Sequence, residues 1–306
     1  MSKLNIAAYG GQLLYPPELG KHVDAIAQAG WTSLILRSLH VEACGTLRYN
    51  QEIVVREEAY VGAPTWPCEL SRMLSQAAGE SLRSLLISVG DEGGEDFANV
   101  ESVYRAQRRS LSGTTLQRNF IRLHRTLGAV DLIELAPKEP VNMSAFLAFA
   151  RMLADIGYGL TLSPGHDASL KFWTRVLQEL EYTHPGQVRW WNLPRHAGEH
   201  GFAPADWAYA IRQTNPGLDT DGYLMVGDRR EIEGSPQTGD FQPPAAEQEL
   251  QAMEQWLASY GDTSIGGSVL CSLDRILGAS ADSNPADAGA KRQRMDRYVR
   301  ALDRDA

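Results

Sequence analysis

The sequence predicts an eight-stranded parallel α/β barrel, and three observations carry that prediction. Eight short apolar runs are spaced along the chain, helical patterns fall between them, and 306 residues suffice for one barrel, which typically needs about 250. Strands alternating with helices form βα units and a parallel sheet. Eight such units at this length close into a barrel. No glycine-rich phosphate loop follows the first strand to favour a Rossmann sheet instead.

The first strand is "LNIAAY" (4–9), followed by "ELGKHVDAIAQAG" (18–30), whose helical spacing ends at Gly30 as a C′ glycine. The second strand is "SLILRSL" (33–39). After it, residues 40–67 carry "CG" and "YN" turn signals and a β-branched run, which predicts a β-hairpin insertion. "SLLISV" (84–89) is the third strand and "VDLIEL" (130–135) the fourth; the helix between them (114–128) takes a threonine cap and ends at Gly128. Helix 144–157, strand "YGLTLS" (158–163), helix 168–181 and strand "VRWWNL" (188–193) repeat the scheme. In that sixth strand Trp190 and Trp191 are neighbours, so one faces the lumen and the other the helices. Trp173 and Trp207 fall on amphipathic helices and belong to the core. "GYLMV" (222–226) and "GSVLCSL" (267–273) complete the eight, with a Pro- and Gly-rich loop at 227–245 and a terminal loop and helix over 279–306. The whole chain, 1–306, reads as one barrel domain.

A net charge of −9 argues against nucleic acid, since phosphate binding needs a clustered basic surface. The one basic run, 291–300, has the pattern of a solvated helix face. Cys44, Cys68 and Cys271 are odd in number and widely spaced, unlike a disulfide framework or a zinc ribbon. The N-terminus lacks the long apolar stretch of a signal peptide, and no run reaches the ~18 apolar residues of a membrane span. The expectation is a cytoplasmic protein with no membrane or nucleic-acid partner.

The fourth strand continues into an unusual clause, "VDLIELAPKEP" (130–140). An acid inside a β-run is unfavourable unless it is paired or functional, and this run holds both Asp131 and Glu134. Pairing with Arg37 or other lumen groups would make them part of the scaffold.

Four other stretches lie at strand ends: "LLISVGDEGG" (85–94), "GYGLTLSPG" (157–165), "WWNLPRHAGEHG" (190–201) and "GGSVLCSLDRI" (266–276). In order and spacing they resemble the barrel of glycoside hydrolase family 18, the chitinase and endo-β-N-acetylglucosaminidase group. The resemblance implies a saccharide cleft at the C-terminal face, with N-acetylhexosamine polymers as the ligand class. It also implies a fourth-strand motif D-G-x-D-x-D-x-E. There the last Asp orients the substrate's acetamido group, which attacks the anomeric carbon, and the Glu protonates the leaving oxygen. Laid on that motif, Asp131 and Glu134 take the first two acidic positions, but Ala136 and Lys138 take the places of the working pair. His196 stands where the family has a tyrosine, Ala197 replaces the following Asp, and Cys271 replaces the last strand's tryptophan.

The expectation is therefore a family 18-like barrel that has lost standard chitinase chemistry and either binds saccharide or performs altered catalysis. Asp131, Lys138, Arg195 and His196 are its candidate ligand-binding residues, with Trp66 and Tyr60 on the insertion as sugar-stacking platforms. Lys138, Arg195 and His196 would favour an anionic or carboxylated small-molecule ligand. One alternative is an active glycosidase using Glu139 as acid, with Glu134 or Asp228 assisting. The other is a barrel binding a divalent metal such as Zn or Mn through His40, His166 and His196, because four of the seven histidines follow predicted strand ends. The "HAGEH" stretch (196–200) matches an H-x-x-E-H protease motif only in letters, as its glycines preclude the helix that motif needs.

Overall fold

The computed structural model describes residues 5–76, 82–90, 95–137, 141–165, 169–194, 204–216, 224–227, 265–271 and 273–278, with 292–293, 295–296 and 299–300 near the C-terminus. Eight parallel strands form the barrel. They are β1 (Asn5–Gly10), β2 (Ser33–Val41), β6 (Ser84–Val89), β7 (Val130–Leu135), β8 (Gly159–Leu162), β9 (Val188–Pro194), β10 (Leu224–Gly227) and β11 (Ile265–Cys271). Each pairs with the next, and β1 pairs with both β2 and β11, which closes the ring. All eight expected strands are present. The expected hairpin follows the second of them: β3 (Leu47–Tyr49), β4 (Glu52–Arg56) and β5 (Ala59–Tyr60) continue antiparallel from the end of β2.

The helices are α1 (Glu18–Ala27), α2 (Trp66–Gln76), α3 (Asp96–Ala106), α4 (Thr115–Thr126), α5 (Met143–Ile156), α6 (Leu170–Thr183), α7 (Pro204–Thr214) and the short α8 (Leu273–Gly278). Side-chain caps fix three N-termini: Thr114, Asn142 and Ser169 each accept a backbone N–H three residues on. Gly157 ends α5 in the left-handed conformation at φ 113°. Gly30 is also left-handed, at φ 90°, but α1 stops at Ala27 and the glycine turns the following loop. None of the described helices is long and apolar enough to cross a membrane.

Strand alternation divides the apolar residues into two sets. Ala7, Tyr9, Ile35, Leu86, Leu132, Met225 and Val269 fill the lumen, and a much larger set packs the outer sheet face against the helices. An aromatic seam runs through that outer layer, from Phe120 and Phe149 through Phe97, Phe146 and Trp173 to Trp191 and Trp207. Trp173 and Trp207 are core residues, as expected. Trp191 faces the helices, while Trp190 packs against the lumen set. Asp274, in the first turn of α8, accepts the amides of Gly11 (2.5 Å) and Leu13 (2.9 Å) and so ties the last strand's exit to the first.

Candidate functional site

The lumen changes from apolar to polar towards the C-terminal ends of the strands. Leu132 belongs to the lumen set, so Glu134, two residues on, faces the same way. Ser88 and Thr161 are its register partners on the flanking strands. Glu134 is fully buried. Its Oε1 accepts from the Tyr9 hydroxyl (2.5 Å) and from Asn192 Nδ2 (2.7 Å), and Trp190 Nε1 donates to Asn192 Oδ1 (3.1 Å). Arg37, also buried, places its guanidinium carbon 6.0 Å from the centroid of the Tyr9 ring. The acid in the fourth barrel strand is thus held by donors from the first and sixth. Its Oε2, Ser88 Oγ and Thr161 Oγ1 are buried without a hydrogen-bond partner among the described residues.

Above this layer the rim is closely packed. The Ala136 amide donates to Val89 O (2.9 Å) and the Ser163 amide to Leu135 O (2.9 Å), so sheet pairing continues one residue beyond β7. By alternation Ala136 shares the lumen side with Glu134, and it is buried. Gly90 is left-handed at φ 91°, and a Cβ there would lie 2.3 Å from the Phe97 ring and 3.1 Å from Ala136 O. Phe97 is held by Phe146 and Phe149 and has nowhere to move, so only glycine fits this turn.

Beside it, His40 ends the lumen-facing series of β2. Its Nδ1 lies 3.2 Å from Asp96 Oδ2, while Asp96 Oδ1 accepts the Val41 amide at 2.6 Å. Arg48, opposite His40 in β3, pairs with Glu42.

Two expected ligand contacts, Asp131 and Trp66, are corrected. Asp131 and Glu134 are three apart in a strand and so lie on opposite faces. Asp131 is exposed on the outer face near His124 and Arg189, away from the lumen; desolvation by the surrounding chain raises its carboxyl pKa from its ordinary value, while its own backbone amide, Arg189 and His124 oppose the rise. An acid whose pKa is raised by folding favours the folded state below its unfolded pKa and loses that contribution as pH rises through the folded value. Asp131→Asn is expected to raise the urea midpoint at pH 7, with the gain vanishing once the acid is protonated in both states. An unchanged midpoint at pH 7 would argue that the backbone amide and Arg189 fully offset the desolvation.

Trp66 is a sugar-stacking candidate at the end of the hairpin insertion. It instead opens α2 and is fully buried between Tyr15 and Tyr49, with Nε1 donating to Leu14 O (2.8 Å), so it offers no face to a ligand. Tyr60 is half-buried, its hydroxyl donating to Ala63 O (2.9 Å) and its pKa raised by burial.

Glu139, Lys138, Asp228, Arg195, His196 and His166 lie outside the described residues. Of the proposed metal trio only His40 is described, and no group of three potential metal-binding side chains occurs among the described residues.

Tyr9, Ser88, Thr161 and Asn192 were not singled out from the sequence, and neither was Asp96. The available signal was a small polar or aromatic-hydroxyl residue at the lumen phase of an otherwise apolar strand.

No family model and no curated protein matches the chain. Solved structures do match along its whole length. A family 18 chitinase from Pseudoalteromonas aurantia superposes with TM-score 0.60 at 10% identity, covering 97% of this chain and 98% of its own. The catalytic domain of a hyperthermophilic chitinase from Pyrococcus furiosus gives 0.55 at 12%, covering 99% and 97%. The Bacillus cereus spore cortex-lytic enzyme SleL gives 0.51 at 14%, covering 98% and 75%. The fold is that of the glycoside hydrolase family 18 barrels.

Proposed function

We propose that this barrel binds an N-acetylhexosamine-containing saccharide at its C-terminal face and does not hydrolyse it by the substrate-assisted route of chitinases. The observation that carries the proposal is Ala136. Its amide keeps the sheet register past the end of β7 and the residue is buried, and in the fourth-strand motif of the family the chain resembles, this position is the one whose carboxylate orients the acetamido group. The buried acid below it, Glu134, has its Oε1 committed to Tyr9 and Asn192, an arrangement suited to organising the lumen. The ligand class comes from the shared fold, two of whose solved examples are described as chitinases. Lys138, Arg195 and His196 add a preference for carboxylated or otherwise anionic sugars.

Calorimetric titration with chitotetraose, alongside turnover of a chromogenic chitobioside, tests the proposal. Binding without turnover is the expected result. Turnover that disappears in Glu139→Gln would replace the proposal with an active glycosidase using that residue as its acid, and absence of any saccharide binding would remove it.

A further inference from the structure

We infer that His40 is a ligand-contacting residue of the mouth, held by Asp96 so that its Nε2 presents a hydrogen-bond acceptor to a sugar hydroxyl. The inference rests on the saccharide reading and goes beyond it by naming the group and its tautomer. Three features place the imidazole. Leu39 pairs with Val89, the last residue of β6, so β2 outruns its neighbour and His40 stands one residue above that pair on the rim. Leu39 and Val41 belong to the outer core, and alternation turns the residue between them to the lumen side. The side chain keeps 23% of its surface exposed, whereas that of Asp96 keeps 2%.

Asp96 determines which nitrogen carries the proton. It is the first residue of α3, where the helix dipole favours negative charge. Both its oxygens are used, Oδ1 by the Val41 amide and Oδ2 by His40 Nδ1. An ionised aspartate only accepts, so Nδ1 must donate, and the lone pair of the neutral ring falls on Nε2. Nε2 has no hydrogen-bond partner among the described residues. Directly opposite in the antiparallel register, and so on the same face, Arg48 supplies donors and is paired with Glu42. An acceptor with a fixed tautomer beside a fork of donors matches the adjacent hydroxyls of a pyranose, each of which donates one hydrogen bond and accepts another.

The test titrates wild type, His40→Ala and Asp96→Asn with chitotetraose and with maltotetraose, which has the hydroxyls but no acetamido group. Nitrogen-15 spectra of the histidine ring at about pH 8.5, where a free imidazole is neutral, report the tautomer. The amide introduced by Asp96→Asn keeps a carbonyl oxygen for Val41 but donates to Nδ1, moving the ring proton to Nε2 and turning the acceptor into a donor. The expected result is an Nδ1–H tautomer in wild type and its reversal in Asp96→Asn. Saccharide affinity should fall about tenfold in both variants, the weight of one hydrogen bond made to a buried or rim group.

Chitotetraose binding that is equal in wild type and His40→Ala overturns this inference and leaves the saccharide reading standing. Binding of maltotetraose alone, lost with His40, overturns the N-acetylhexosamine assignment and supports the inference. If wild type binds neither sugar, or its ring carries the proton on Nε2, the inference falls.

Discussion

Replacing Glu134 by alanine is expected to lower the unfolding free energy by about 3–5 kcal/mol, while Glu134→Gln stays within about 1 kcal/mol of wild type. The alanine variant removes the acceptor shared by the Tyr9 hydroxyl and Asn192 Nδ2, in a lumen that closure of the barrel keeps from collapsing. Each buried hydrogen bond lost costs about 1–3 kcal/mol, and the void adds to that. Relief from burying a carboxylate offsets part of the loss. Glutamine keeps the oxygen that both donors use, and its amide group can donate to Ser88 Oγ or Thr161 Oγ1 on the flanking strands, both unpartnered among the described residues. Urea unfolding followed by tryptophan fluorescence measures both. If the two variants are equally stable, the Tyr9–Glu134–Asn192 network does not hold the lumen.

The second large effect is expected at Trp66. Its truncation to alanine removes a fully buried indole from contact with Tyr15 and Tyr49, each with ring centroid 4.8 Å away, and deletes the donor to Leu14 O. A loss of about 3–5 kcal/mol follows. Trp66→Phe retains most of the packing and should lose less than half of that, with saccharide affinity unchanged. A sugar-stacking residue would behave in the opposite way, losing affinity at nearly constant stability. Denaturant midpoints and calorimetric titration of the phenylalanine variant separate the two roles.

Different parts of the molecule were legible to different degrees. The eight strands were readable because each is a short apolar run bounded by turn residues, and the four helices with clear caps or glycine stops stood out between them. Helices α2 and α3 did not stand out. In α2, Trp66, Leu70 and Met73 mark a helical face, but Pro64 and Pro67 flank the tryptophan and made the stretch look like loop. That single misplacement turned a core indole into an apparent sugar platform. Asp131 leaves the lumen for a simpler reason, since an odd separation from Glu134 in a strand puts the two side chains on opposite faces of the sheet.

The sequence by itself determined the barrel and the insertion after its second strand, because both follow from local patterning and turn chemistry. Only the tertiary structure decided which of the strand's two acids faces the lumen and what Glu134 meets there. Its partners lie 125 residues before it and 58 after it, on strands that approach one another only when the sheet closes on itself. The same holds for His40, whose tautomer is set by an aspartate 56 residues away at the start of α3. Alternation fixes the direction in which a side chain points, but the group waiting there depends on how the whole ring packs.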